Sequence, residues 1–150
     1  MQVATHSEPL DVTFGERLVK LGKLKASDLD RAQRAQAELK LPLSKVLVRL
    51  GMLSEQEITF VLSRFLNAGM AITKDYPTQA IENLGISVNY LRSVEIAPLT
   101  LVDDTLLIAT TEPTNPQVIK ALEMATDKKV KALIGLPSEI LAHVERYYAQ

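Results

Sequence analysis

Along the first half of the chain apolar residues recur at helical spacing, and the pattern then repeats itself. Leu18-Val19-Lys20-Leu21-Gly22-Lys23-Leu24 returns as Leu47-Val48-Arg49-Leu50-Gly51-Met52-Leu53, an offset of 29 residues from Gly22 to Gly51. Five of these seven positions are identical, and a sixth exchanges Lys for Arg. The register holds through further apolar columns: Phe14 with Leu43, Leu29 with Ile58, Ala32 with Val61. A chance match rarely keeps one offset over so many columns, so the segment is a duplication.

Each copy predicts a short helix, a turn and a longer helix. In the first, Thr13 and Glu16 have capping-box spacing, Leu18, Val19 and Leu21 supply an apolar stripe, and Gly22 suits a left-handed residue past the helix end. Ser27 offers a cap to the longer helix, whose inner face is expected to carry Leu29, Ala32, Gln36 and Leu39. In the second, Pro42 fits a first helical position and Gly51 the stop. Ser54 and Glu57 form another capping box, ahead of Ile58, Val61, Leu62 and Phe65. Neither pair buries its apolar face alone. Packed together they predict a helical subdomain over residues 12–68, after a flexible tail over 1–11.

After Asn67-Ala68-Gly69 the periodicity changes. Residues 70–77 read as a short extended segment closing in a Tyr76-Pro77 turn. Two short helices are expected near 78–84 and 87–92, divided by Gly85, with Ser87 as a cap. Val94–Val102 and Thr105–Thr110 are β-rich runs around Asp103-Asp104, the pattern of a hairpin, with Pro98 marking an edge or a bulge. A helix over about 116–126, a strand over Val130–Ile134 and a last helix opening at Pro137-Ser138-Glu139 complete a ββαβα order. The fold class read from this is α+β, with the α/β part over residues 69–150.

Composition narrows the function. The 150 residues are 47% hydrophobic but only 5% aromatic, without Trp, so the core must be aliphatic. Seventeen Lys and Arg nearly balance eighteen Asp and Glu, which gives no electrostatic reason to expect nucleic acid or an anionic membrane as partner. No cysteine is present; this excludes disulfides, thiolate-held metals and a Cys nucleophile. The first residues show no signal-peptide pattern and no apolar run is long enough to span a bilayer, so the expected location is cytoplasmic, without direct membrane insertion.

Catalytic chemistry finds little support. No phosphate loop is present and the six glycines stand singly, so ATP has no site here. His6 and His143 have no carboxylate or second His at metal-ligand spacing, and each reads as solvated. Asp28/Asp30 and Glu55/Glu57 suit helix first turns, Asp103/Asp104 a turn, and Ser27, Ser54, Ser87 and Ser138 helix caps. No catalytic residue, cofactor or metal is expected. The repeated turns remain, with Arg17, Lys20, Lys23, Lys25, Arg31 and Arg34 near the first copy. They fit an anion site at helix N-termini, or a solvated face of two amphipathic helices. Leu39, Leu41, Leu43, Met52, Phe60 and Leu66 cannot all face one four-helix core, so some are expected to form an apolar partner-binding patch.

At the duplicated Leu-Val-x-Leu-Gly-x-Leu the chain resembles the N-terminal domain of bacterial traffic ATPases, the motors of type II secretion and type IV pilus assembly. Val94–Leu99, Leu106–Ala109 with Glu112-Pro113, and Ile140 to Arg146-Tyr147-Tyr148 add to the likeness, which covers about residues 12–148. It implies a non-catalytic domain that docks a motor onto the cytoplasmic part of an inner-membrane platform protein. A linker would lead on to the ATPase core of the same full-length chain, so these residues are expected to be a piece of a longer protein, peripheral to the inner membrane through the partner. Some members bind cyclic di-GMP through the duplicated turns, with Arg-Leu-Gly opening each copy and Gln closing it. Here the positions read Thr13-Phe14-Gly15 with Gln36, and Pro42-Leu43-Ser44 with Phe65; both arginines, one Gly and one Gln are missing. Gly15, Gly22, Gln36, Ser44, Gly51 and Phe65 therefore resemble a degenerate form of that site, and a cyclic di-GMP receptor is the alternative reading. The departure favours the secretion branch over the pilus branch.

Overall fold

The structure is a computed structural model and describes residues 8–149. The chain divides into two compact units, Met1–Phe65 and Leu66–Gln150. The first holds four helices: α1 (Glu8–Lys20), α2 (Ala26–Leu39), α3 (Leu43–Arg49) and α4 (Glu55–Phe65). Their arrangement is the duplicated helix pair that the repeat predicts. Gly22 and Gly51 both take left-handed backbone, φ +75° and +74°, in open space. In each turn the glycine N–H donates back to Val19 or Val48, and the next residue's N–H donates to Leu18 or Leu47. These bonds satisfy carbonyls that the helix end would leave bare.

The core of this unit follows the repeat columns. Phe14, Leu18, Leu24 and Ala32 of the first copy and Leu43, Leu47, Leu53 and Val61 of the second are all buried, with Val46 and Ile58 beside them. Gly15 is buried for a steric reason: a Cβ there would stand 2.7 Å from a Leu29 methyl and 3.1 Å from one of Leu43.

Several local expectations need correction. Helix α1 begins at Glu8, so Thr13 lies inside it rather than at its cap, and residues 8–11 belong to a helix rather than to a tail. The rest of the expected tail, with Val3 and His6, lies outside the described residues. Ser27 sits within α2, whose N-cap is Lys25 without a side-chain bond. Pro42 is the residue before α3 rather than its first helical residue.

The second unit carries a three-stranded sheet in the order β1-β2-β3, from Ile96–Val102, Thr105–Thr110 and Lys129–Ile134. β1 and β2 form the antiparallel hairpin, and β2 and β3 pair in parallel through α6 (Pro116–Thr126). Asp103 and Asp104 both have positive φ, 49° and 66°, the backbone of a twist-compatible two-residue turn. β1 is an edge strand and its register shifts between Pro98 and Thr100, where a proline costs no central ladder bond. Alternation splits the strands between two cores: Ile96, Leu106, Ile108 and Val130 join Leu84, Leu91, Leu122 and Val144, while Ala97, Leu99 and Ala109 join Ala71 and Ile140.

Helices α5 (Val88–Val94) and α7 (Pro137–Tyr147) complete the unit. Ser87 caps α5 as expected, accepting from the Tyr90 N–H at 3.1 Å. The helix expected near 78–84 does not form. Asn83 and Gly85 have positive φ, and the Ile81 N–H donates to the Tyr148 hydroxyl at 2.9 Å instead of to a helical carbonyl. The segment before it holds one 3₁₀ turn, Thr73–Asp75, and a single bridge from Met70 to Ile134.

Candidate functional site

The side chains singled out in the repeat fall into two groups, one internal and one at the surface. Gln36 on α2 donates from Nε2 to Asp11 Oδ2 of α1 at 2.7 Å, and the Leu43 N–H that opens α3 donates to the same oxygen at 3.3 Å. One carboxylate thus ties three helices. Phe65, at the position matching Gln36, packs its ring 5.5 Å from that of Phe14. The Arg17 guanidinium lies 5.4 Å over the centre of the Phe65 ring, a cation–π contact. Gly15 is filled in by Leu29, Ser44 is partly buried, and Gly22 and Gly51 serve the two turns. Gly15, Gln36 and Phe65 are therefore taken up by packing and an internal hydrogen bond, while Gly22 and Gly51 face open space.

The apolar patch candidates separate. Phe60 is 53% exposed and Leu39 39% exposed. Leu41 and Met52 pack partly against the helical core. Leu43 is 1% exposed and cannot reach a partner, because its column in the repeat points inward, as Phe14 does. Leu66 is partly buried and belongs to the second unit.

Apolar residues outside the expected patch are also exposed: Val12, Val48, Leu21 (54%) and Leu50 (43%). Leu21 was expected in the inner stripe. Helix α1 ends at Lys20, and the chain turns away through Gly22 before Leu21 can follow Leu18 inward. The signal was present, since a left-handed Gly22 makes Leu21 a cap residue. Lys20 and Lys23 flank Leu21 in the chain, and Arg49 precedes Leu50. Among the described residues no carboxylate lies within ion-pair distance of Lys20, Lys23, Lys25 or Arg49, whereas Arg31 and Arg34 on α2 pair with Asp28 and Asp30.

In the second unit His143 is buried rather than solvated. Its ring sits among Tyr76, Tyr147 and Tyr148, with centroids 5.5, 4.8 and 6.0 Å away. Nε2 has no hydrogen-bond partner among the described residues. Burial holds this imidazole below its ordinary pKa of 6.5. Burial also pushes the Tyr148 hydroxyl up, against the bond from Ile81. At the surface Arg92 holds Glu145 by two hydrogen bonds, 2.5 and 3.1 Å, and lowers its pKa. Among the described residues no cluster of three His, Asp or Glu is placed to hold a metal, and no helix is long and apolar enough to cross a membrane.

A duplicated helix pair with exposed apolar residues at its turns, followed by a small mixed-sheet unit, makes the chain an α+β protein built of two units. Residues 70–150, more than half of the chain, match the MshEN domain family, and the chain belongs to it. It is 30% identical over 139 residues to type II secretion system protein E of Xanthomonas campestris pv. campestris, covering 90% of this chain. It is 22% identical over 137 residues to the type IV pilus assembly ATPase PilB of Myxococcus xanthus, covering 91%. The chain spans about a quarter of the length of these curated relatives, 24% in each case.

Among solved structures, the N-terminal domain of XpsE superposes with a TM-score of 0.78 at 25% identity, covering 99% of both chains. A second crystal form of that domain gives 0.64 at 28% identity, covering 99% of this chain and all of that one. A structure of MshE with cdg gives 0.72 at 24% identity over 90% of this chain and 98% of that one, a likeness of fold. The chain is thus homologous to the N-terminal, non-catalytic domain of a secretion ATPase, separate from the ATPase core.

Proposed function

We propose that this domain docks a type II secretion motor onto the cytoplasmic part of an inner-membrane platform protein, and that it does so through the helical unit. The observation that supports the reading is the surface of that unit: Leu21, Leu50, Val48, Leu39 and Phe60 are exposed, and Lys20, Lys23 and Arg49, next to Leu21 and Leu50 in the chain, have no carboxylate within ion-pair distance among the described residues. An apolar centre with a charged rim is the make-up of a protein–protein interface. The domain then sits at the cytoplasmic side of the inner membrane through its partner, and the ATPase core follows in the full-length chain.

The test is a pulldown of the whole chain by the platform protein's cytoplasmic part, repeated with residues 66–150 alone after circular dichroism has established that this piece is folded. Binding by the whole chain and loss with 66–150 supports the reading. Retention by 66–150 places the docking surface on the α/β unit, and absence of binding by the whole chain ends the proposal.

The MshE likeness makes cyclic di-GMP the second ligand to titrate. With no arginine at Thr13 or Pro42, Gln36 engaged by Asp11 and Phe65 covered by Arg17, we expect a dissociation constant weaker than roughly 100 μM. Two missing charge-assisted contacts at about 1.5–3 kcal/mol each already remove a hundredfold or more. A sub-micromolar constant by calorimetry makes the domain a second-messenger receptor instead.

A further inference from the structure

The two turns of the repeat share one backbone plan and differ in side chains in a way that local stability opposes. Before α4 stands Ser54, whose hydroxyl accepts from the Glu57 N–H at 3.1 Å while its own N–H donates to the Glu57 carboxylate at 3.2 Å. The equivalent residue before α2 is Lys25, with extended backbone (φ −80°, ψ 149°) and no side-chain cap. A lysine there leaves helical N–H groups uncapped and sets a cation against the positive end of the helix. Lys23 stands where the second turn has Met52. Lys20 closes α1, where the helix dipole favours a cation. Residues 17–27 contain no acidic side chain. In the middle of this group Leu21 is 54% exposed.

We propose that this first turn, Lys20 to Lys25, is where the helical unit grips its protein partner, and that the partner presents an acidic segment there with an apolar residue against Leu21. The inference rests on the docking reading above and specifies its chemistry. Complementary charge sets the partner's orientation and speeds its encounter, and the leucine supplies the desolvated centre. Lys25 is then a residue kept against the interest of its own helix, as functional positions are when a local rule is broken. The second turn, with Ser54 capping α4, has its local needs met and serves as the internal comparison.

The experiment uses the whole 150-residue chain and the cytoplasmic part of the platform protein, titrated at low and at raised salt, with phosphatidylglycerol vesicles as a separate arm. Wild-type affinity should fall as salt rises. K23E/K25E should weaken binding by at least about tenfold, a loss of about 1.4 kcal/mol, while K120E/K131E, the same charge change in the second unit, should stay within about twofold. Lys25→Ser, which copies Ser54, should raise the thermal midpoint by about 2–4 °C and still weaken binding. Salt-independent binding, equal loss in both charge-reversal pairs, or a lower midpoint for Lys25→Ser overturns the inference and leaves the docking reading standing. Vesicle binding that depends on Lys23 and Lys25 makes the occupant a lipid surface and overturns it as well. No binding by the wild-type chain removes both.

Discussion

His143 shows how far a single residue's chemistry depends on its surroundings. An imidazole among three tyrosine rings, with Nε2 cut off from water, resists the proton that it would take in an unfolded chain. Its folded pKa is lowered by burial, so the unfolded state binds the proton first as pH drops. The stability that His143 contributes is complete above about pH 6.5 and is lost as pH falls from there toward the lower folded value. Thermal melts between pH 7.5 and roughly pH 5 should therefore show a declining midpoint. His143→Phe, which keeps the ring packing, should flatten that part of the decline; an unchanged slope assigns it to another group. Gly22 and Gly51 are the opposite case, since open space surrounds them and only their backbone angle demands glycine.

Among elements, the two long helices of the repeat make a natural comparison. Helix α4 opens on a reciprocal capping box between Ser54 and Glu57, and α2 opens on an uncapped lysine. Ser54→Ala should lower the unfolding free energy by about 1 kcal/mol, read from a denaturant midpoint at unchanged slope. No loss indicates that the cap bonds are exchanged for water without cost. The start of α1 shows the limit of capping signals: Thr13 and Glu16 have the right spacing, but the helix continues back to Glu8, with the Asp11 carboxylate held by Gln36 and the Leu43 N–H. Those partners lie 25 and 32 residues away, beyond the reach of any local rule. The hairpin, by contrast, was legible but for its start, because its signals, two β-rich runs and a two-residue acidic turn, are local; Val94 closes α5, left-handed Glu95 ends that helix, and the strand begins at Ile96.

For the whole molecule, the near-neutral total conceals an asymmetry. Residues 1–65 carry ten Lys and Arg against eight Asp and Glu, a net of +2, while residues 66–150 carry seven against ten, a net of −3. Charge balance over the chain therefore says little about either unit's partners. Each unit also buries its own apolar set, with the helical core in one and the two faces of the sheet in the other. A fragment of residues 66–150 should accordingly melt in a single cooperative step, followed by circular dichroism. A broad, sloping transition shows that the α/β unit depends on the helical one for its fold.

The sequence alone determined the duplication, its inward columns, the left-handed glycines, the hairpin, helix α6 and the absence of a nucleotide loop. Each of these is written in neighbouring residues or in a fixed period, where steric and hydrogen-bonding preferences act over a few positions. Only the tertiary structure decided which apolar residues remain outside. Leu43 went into the core with its repeat column and Leu21 stayed out because its helix ended one residue earlier. It also decided that 78–84 is irregular, since the Ile81 N–H found Tyr148, and that His143 is enclosed. Burial and long-range hydrogen bonds are set by which elements come together in space, and a helix period specifies a face without specifying what will cover it.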